Sequence, residues 1–258
     1  MIDIYDLWKK YQDNQVLKGL NLQVKTGETL VILGRSGVGK SVLLKHIICI
    51  TQPDQGYIEV DGIRISHLQG EKRYEATRHM GMLFQGSALF DSMNIEENIS
   101  FYLKQHGDLN TGKSYAKSEI QDRVAEALDM VDLAGVQNKM PSDLSGGMKK
   151  RAALARLIVY RPKYLFYDEP TTGLDPITAM QINESIVQIQ EKLEATSVVV
   201  THDMISSLFV GDRLALHKDG QIAYIDKPEA FLQIDDPIIV FLKKTIETDP
   251  RSLRSKRP

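Results

Sequence analysis

Gly34-Arg35-Ser36-Gly37-Val38-Gly39-Lys40-Ser41 is the feature that most restricts what this chain can fold into. It meets the pattern G-x-x-x-x-G-K-[ST] at every constrained position. The run Thr29-Leu30-Val31-Ile32-Leu33 before it is apolar enough for a strand buried on both faces. The run Ser41–Ile50 after it puts Leu43, Leu44, Ile47 and Ile48 on one helical face. A strand, a glycine turn and a helix in that order aim successive backbone N–H groups and a helix N-terminus at one point, which is an anion site. Phosphate oxygens suit it: Lys40 would reach the β- and γ-phosphates of a nucleotide, and Ser41 would hold Mg2+.

The rest of the chain alternates in the same way, so the expected class is α/β. Met80–Gln85, Tyr164–Tyr167 and Ser197–Val200 read as strands. Helices are expected from Gly147 to Tyr160 and after Asp175, an N-cap followed by Pro176, with Ile182, Ile186, Ile189 and Leu193 as the apolar face. Ser118 with Gln121 predicts a capping box, and Ile120, Val124, Leu128 and Val131 line the helix it would open. Asp61-Gly62 and Asp219-Gly220 mark hairpins over Tyr57–Ile65 and Leu214–Ala223. The polar stretch Gln105–Ser118 reads as a surface excursion.

Composition removes several classes. At 258 residues the chain makes one large domain or two small ones. A single cysteine excludes an intrachain disulfide and fits a reducing compartment. Lys plus Arg is 32 against 34 Asp plus Glu, which argues against a protein that coats nucleic acid. No apolar run approaches the roughly 20 residues of a bilayer-spanning helix, and Met1-Ile2-Asp3 does not begin a secretory leader. The expectation is a cytoplasmic globular protein.

Two further clusters carry chemistry. Tyr164-Leu165-Phe166-Tyr167 delivers Asp168 and Glu169 at a strand end, where alternating faces suit two roles: Asp168 on a Mg2+ shell and Glu169 on an attacking water. Leu144-Ser145-Gly146-Gly147-Met148 precedes a helix, Ser145 lying 23 residues before Asp168. With the phosphate loop and the acidic pair, it makes the chain resemble the nucleotide-binding subunit of ATP-binding cassette (ABC) transporters over nearly its whole length.

The resemblance implies a P-loop NTPase with a RecA-like core, an antiparallel β subdomain and a helical ABC signature subdomain. The nucleotide-binding domain would span 1–245, with its helical part roughly 87–162, and a basic tail would follow at 246–258. It implies an ATPase with ATP and Mg2+ as cofactors, and Lys40, Glu169 and His202 as catalytic residues. ATP would be held by Gly34, Arg35, Ser36, Gly37, Val38, Gly39, Lys40 and Ser41, with Tyr11 stacked on adenine. Gln85 would touch the metal, beside Ser41 and Asp168, and the membrane partner. Ser145, Gly146, Gly147 and Met148 would complete the ATP site of a second copy, so the assembly is a head-to-tail homodimer, and Gly173-Leu174-Asp175 would form the loop between subunits. Lys149-Lys150-Arg151 reads as a solvated helix face.

Met148 stands where the family usually has glutamine. The stretch Leu144–Arg151, together with Thr171–Thr178, resembles the branch that serves MCE-type lipid transporters. That branch implies an integral membrane permease, an MCE-type lipid-binding protein, phospholipid cargo, and a place on the cytoplasmic side of the inner membrane. Cys49 sits where many family members carry glycine. Two alternatives remain: the ATPase of another importer, for amino acids or metal complexes, and a soluble ATP-gated clamp.

Overall fold

Strands buried without alternation must be covered on both faces, and three stretches meet that condition: Thr29–Leu33, Tyr164–Asp168 and Thr196–Thr201 are buried at every position. The computed structural model describes residues 1–247, with side chains through Lys244. Its strands are β1 (Ile2–Tyr11), β2 (Asn14–Val24), β3 (Thr29–Leu33), β4 (Gln55–Val60), β5 (Ile63–Arg64), β6 (Met80–Leu83), β7 (Tyr164–Asp168), β8 (Thr196–Thr201), β9 (Arg213–Lys218) and β10 (Gln221–Asp226). Its helices are α1 (Lys40–Ile47), α2 (Gly70–Thr77), α3 (Ile95–His106), α4 (Lys117–Asp129), α5 (Gly146–Ile158), α6 (Pro176–Leu193), α7 (Met204–Val210), α8 (Pro228–Phe231) and α9 (Pro237–Glu247).

The main sheet has the order β10-β9-β3-β8-β7-β6. Neighbours from β9 to β6 are parallel, and β10 closes the edge as an antiparallel hairpin. The two-residue period of a strand splits its side chains between two cores. Val31, Leu33, Leu165, Tyr167 and Val199 face the core built with α3 to α7. Leu30, Ile32, Tyr164, Phe166, Val198 and Val200 face the other core, shared with α1 and the second sheet. That second sheet is antiparallel, ordered β2-β1-β4-β5. Among the described residues no helix is long and apolar enough to cross a membrane.

Parallel register brings the functional strand ends to one edge. Leu33 pairs with Thr201, Asp168 with Val200, and Leu83 with Tyr167. The segments leaving β3, β7, β8 and β6 therefore all emerge at the carboxyl edge, where open parallel sheets form their ligand crevice.

Several expected elements differ in detail. Ser118 is not the cap of α4: the helix begins at Lys117, its N-cap is Ala116 with no side-chain cap, and the Ser118–Gln121 box is absent. The capping box forms instead at α3, where Asn94 accepts from the Glu97 N–H at 2.8 Å and Glu97 accepts from the Asn94 N–H at 2.9 Å. α1 stops at Ile47 rather than Ile50. The reason is Cys49, which takes the left-handed φ of 58° that favours glycine, so its sequence position is explained by backbone rather than chemistry. Burial pushes its thiol up to about 11. β6 ends at Leu83, leaving Gln85 two residues beyond the strand. α3 continues to His106 and α4 begins at Lys117, so only 107–116 of that stretch is loop. The expected tail at 246–258 lies outside the described residues, apart from the last two positions of α9.

Candidate nucleotide site

The phosphate loop is shaped by what its glycines must pass. A Cβ on Gly34 would lie 2.7 Å from the His217 carbonyl oxygen of β9. A Cβ on Gly39, whose φ is 109°, would lie 2.6 Å from a Val16 methyl. Larger residues at either position would push the loop off the sheet. Gly39 is the N-cap residue of α1, so Lys40 and Ser41 open the helix and its unpaired N–H groups face the loop.

Lys40 lies folded back inside this loop. Its Nζ donates to the carbonyls of Gly34 at 2.7 Å and Arg35 at 3.1 Å, and it stands 3.5 Å from Glu169 Oε1. Burial lowers its pKa, while Glu169 and Asp168 oppose that shift. Ser41 Oγ donates to Asp168 Oδ1 at 2.7 Å. Burial raises the Asp168 pKa, with the Ser41 hydrogen bond acting against it and the neighbouring Glu169 charge adding to it.

Glu169 is the most heavily restrained side chain in the cleft. It follows the last residue of β7 at a left-handed φ of 50°, a conformation that costs a non-glycine residue energy and must be held by its surroundings. The backbone N–H donates to Val200 at 2.9 Å. Oε2 accepts from Thr172 at 3.1 Å and Thr201 at 3.4 Å, and lies 2.8 Å from His202 Nδ1. A carboxylate and an imidazole in contact, beside a lysine and a hydroxyl–carboxylate pair, can orient and deprotonate a water next to a bound phosphate.

Lys40, Ser41, Glu169, Thr172 and His202 line one cleft with Val16, Ser36, Gly37, Gly39, Val42 and Gln85, while Asp168 sits behind the wall on Ser41 and Thr201 behind it on Glu169. Among the described residues no three His, Cys, Asp or Glu side chains cluster as a metal site on their own. The oxygen donors of Ser41 and Asp168, with the Gln85 amide in the wall, match a cation such as Mg2+ that takes its remaining ligands from phosphate and water.

Other expected site residues lie outside this wall. Tyr11 is half-exposed at the end of β1, and Lys9 Nζ lies 5.4 Å from its ring centroid; Val16 of β2 occupies the cleft wall. Arg35 contributes its carbonyl to Lys40 and lines a neighbouring apolar hollow against α9. Val38 supports the loop through a methyl near Gly34.

Ser145, Gly146, Gly147 and Met148 do not line the cleft. Ser145 caps α5, accepting from the Met148 N–H at 3.3 Å. Gly147 is pressed against the Thr178 methyl, where a Cβ would collide. Thr178 in turn donates to Asp175 at 2.6 Å, and Asp175 caps α6 through the Ile177 and Thr178 N–H groups. The signature turn and the Asp175 loop are thus joined side by side, away from the phosphate loop.

Lys149-Lys150-Arg151 is not a uniformly solvated face. Lys150 is 4% exposed and donates to the carbonyls of Phe84 and Gln85. Thr172 and Thr201, both on Glu169, are site residues that no motif in the sequence marks, although Thr201 ends a strand whose two-residue period places it. His217, 1% exposed beneath the loop, is likewise unmarked by any motif. Burial and the Lys40 charge lower its pKa to about 4, and neither ring nitrogen has a partner among the described residues.

A family model described as ABC transporter matches residues 17–172. The chain is 38% identical over 244 residues to the intermembrane phospholipid transport system ATP-binding protein MlaF of Haemophilus influenzae, covering 94% of this chain and 90% of that protein. It is 36% identical to the probable ribonucleotide transport ATP-binding protein Mkl of Mycobacterium bovis, covering 92% of this chain and 65% of that protein, so it spans less than two thirds of that relative's length. Among solved structures, the dimeric cassette MJ0796 bound to ADP and Pi superposes with a TM-score of 0.79 at 31% identity, covering 88% of this chain and 98% of that one.

Proposed function

This chain belongs to the ABC transporter family of ATP-hydrolysing cassettes, and we propose that within it the chain is the motor subunit of a phospholipid transporter in a bacterial envelope. The observation that carries the motor reading is the Glu169 cluster: a strained, buried carboxylate held by Thr172, Thr201 and His202 next to Lys40 and the Ser41–Asp168 pair.

In this reading Lys40 leaves the Gly34 and Arg35 carbonyls and pairs with the β- and γ-phosphates of ATP, while the loop N–H groups hold their oxygens. Ser41, Asp168 and Gln85 would hold Mg2+, which neutralises phosphate charge when bound. Glu169 orients and deprotonates the attacking water, and His202 holds the Glu169 carboxylate toward the γ-phosphate. Tyr11 covers the adenine.

The cleft supplies donors from one side only. Ser145, Gly146, Gly147 and Met148 open a helix outside it, so they serve the nucleotide of a second copy, with Asp175 at the subunit boundary. A two-fold axis makes both composite sites equivalent. The solved MJ0796 cassette, described as dimeric with ADP and Pi, supports this arrangement.

The permease partner would dock beside Gln85. There Phe84, Phe90 and Phe101 are exposed around a hollow closed by Tyr102, Tyr160 and Arg156. The phospholipid cargo rests on likeness to MlaF, and the MCE-type partner and inner-membrane location rest on the branch resemblance of Leu144–Arg151 and Thr171–Thr178. The name of Mkl sets the rival cargo, ribonucleotides.

The test is gentle detergent purification of tagged Glu169→Gln protein from its own membranes, with mass spectrometry of what accompanies it. A polytopic permease, an MCE-domain protein and bound phospholipid support the whole reading. A permease with a different binding protein keeps the motor and removes the lipid. Recovery from the soluble fraction alone removes the transporter.

A further inference from the structure

Lys150 is a buried cation that the roles above leave unused. It lies one turn into α5, the helix that Ser145 caps and Gly146 opens. Its side chain reaches the segment that leaves β6. There Nζ donates to two successive carbonyls, Phe84 at 3.4 Å and Gln85. An ammonium this deeply buried is tolerated only where acceptors replace its water. Burial lowers its pKa, and the negative charge of Asp168 opposes the shift, so Lys150 also feels the carboxylate beside the phosphate loop.

One side chain therefore spans two segments that would serve different nucleotides. Gln85 faces the cleft of its own subunit. Ser145, Gly146 and Gly147 present their donors outside it, to a second copy. Strand β6 and helix α5 could reach the same region of the molecule without such a bridge, since apolar contacts such as Gly81 against Leu157 already pack them together. The ammonium adds a directional link between the cleft-side glutamine segment and the first turns of the signature helix.

We propose that Lys150 is a positioning residue that ties the Gln85 segment to the signature helix, so that occupancy of one subunit's cleft sets the placement of the donors it offers to the other subunit's nucleotide. This rests on the composite-site reading above. The tether acts through backbone carbonyls, so it transmits a shift of the Gln85 segment whatever the Gln85 side chain is doing. Arginine at 150 can donate to both carbonyls. Methionine keeps an unbranched apolar stem and removes every donor.

The experiment uses the full chain in the Glu169→Gln background, with MgATP as ligand. Sedimentation velocity measures the ATP-driven dimer, calorimetry measures ATP affinity at protein concentrations below dimerisation, and steady-state turnover is read with Glu169 restored. Lys150→Met should raise the protein concentration for half-dimerisation and lower kcat by about tenfold each, the loss expected for a charge-assisted hydrogen bond, with KM and monomer affinity little changed. Lys150→Arg should restore both. Unchanged dimerisation and kcat in Lys150→Met overturn the proposal. So does a parallel fall of ATP affinity and thermal midpoint in both variants, which makes Lys150 a packing residue only. Ser145→Arg separates the two readings: if its dimer forms normally, the composite site fails; if its dimer is lost while Lys150→Met behaves as wild type, the tether alone fails. Should Lys150→Met not fold, Lys150→Leu, which also removes every donor, takes its place with the same criteria.

Discussion

The phosphate-loop cleft and the signature turn are both built from glycines at a helix start, yet one is closed on itself and the other is open. In the cleft Lys40, Ser41, Asp168, Glu169 and His202 are all partnered to one another or to the loop backbone. At the signature turn Ser145 Oγ makes a long cap at 3.3 Å, and a Cβ on Gly146 would meet nothing within 4 Å. Four N–H groups at a helix start lack intrahelical partners, and here nothing in the same subunit's nucleotide cleft reaches them. The difference teaches that a parallel sheet brings the groups at its strand ends into contact with one another, whereas a helix terminus at the periphery keeps its first N–H groups outside the cleft.

The largest effect expected from breaking the closed half is on hydrolysis. Glu169→Gln should lower turnover by roughly 10²–10⁴-fold while ATP binding persists and a closed dimer accumulates, read by phosphate release and sedimentation. Wild-type turnover would take Glu169 out of the chemistry. Breaking the open half should act differently. Ser145→Arg should cost on the order of 10²-fold in turnover with ATP affinity of the monomer unchanged. An equal loss of monomer affinity would place Ser145 in the cleft of its own subunit and erase the contrast.

A smaller effect sharpens the comparison from beneath the loop. His217 is the polar side chain on the closed side whose ring nitrogens have no partner among the described residues. Replacing such a group by an apolar one of similar size, His217→Met, should stabilise the fold by about 1–3 kcal/mol, seen as a higher thermal midpoint at pH 7. The folded-state pKa of His217 is lowered from 6.5 to about 4. As pH falls from 6.5 toward about 4, the unfolded chain binds a proton that the folded chain does not, so stability falls. The Met variant should lose that part of the acid slope, and an unchanged slope would mean that His217 finds a partner in solution.

Legibility from sequence followed the range of the interaction. The phosphate loop, the acidic pair at the end of β7 and the Asp175 cap of α6 are local patterns, and all three form where their residue order predicts. The β1–β2 hairpin was not visible, because register shifts near Ile4, Leu7 and Lys9 break the two-residue period by which strands are recognised. Ser118 misled because a good capping residue loses when the chain entering the helix turns two residues earlier, at Ala116. Lys150 misled because three consecutive basic residues on a helix point in different directions, and only the approach of the β6 exit decides which is buried.

What the sequence by itself determined is the identity of the reactive groups and the local turns that present them: glycines that let the loop curl, a lysine and serine at the helix start, two carboxylates at a strand end, a serine and glycines before a second helix. These depend on residues a few positions apart. Tertiary structure alone decided that Thr201 and His202 converge on Glu169, that Val16 rather than Tyr11 walls the cleft, and that Lys150 joins the signature helix to the Gln85 segment. Those contacts link strands and helices far apart in the chain, and their geometry is set by the register of the parallel sheet, which no local pattern encodes.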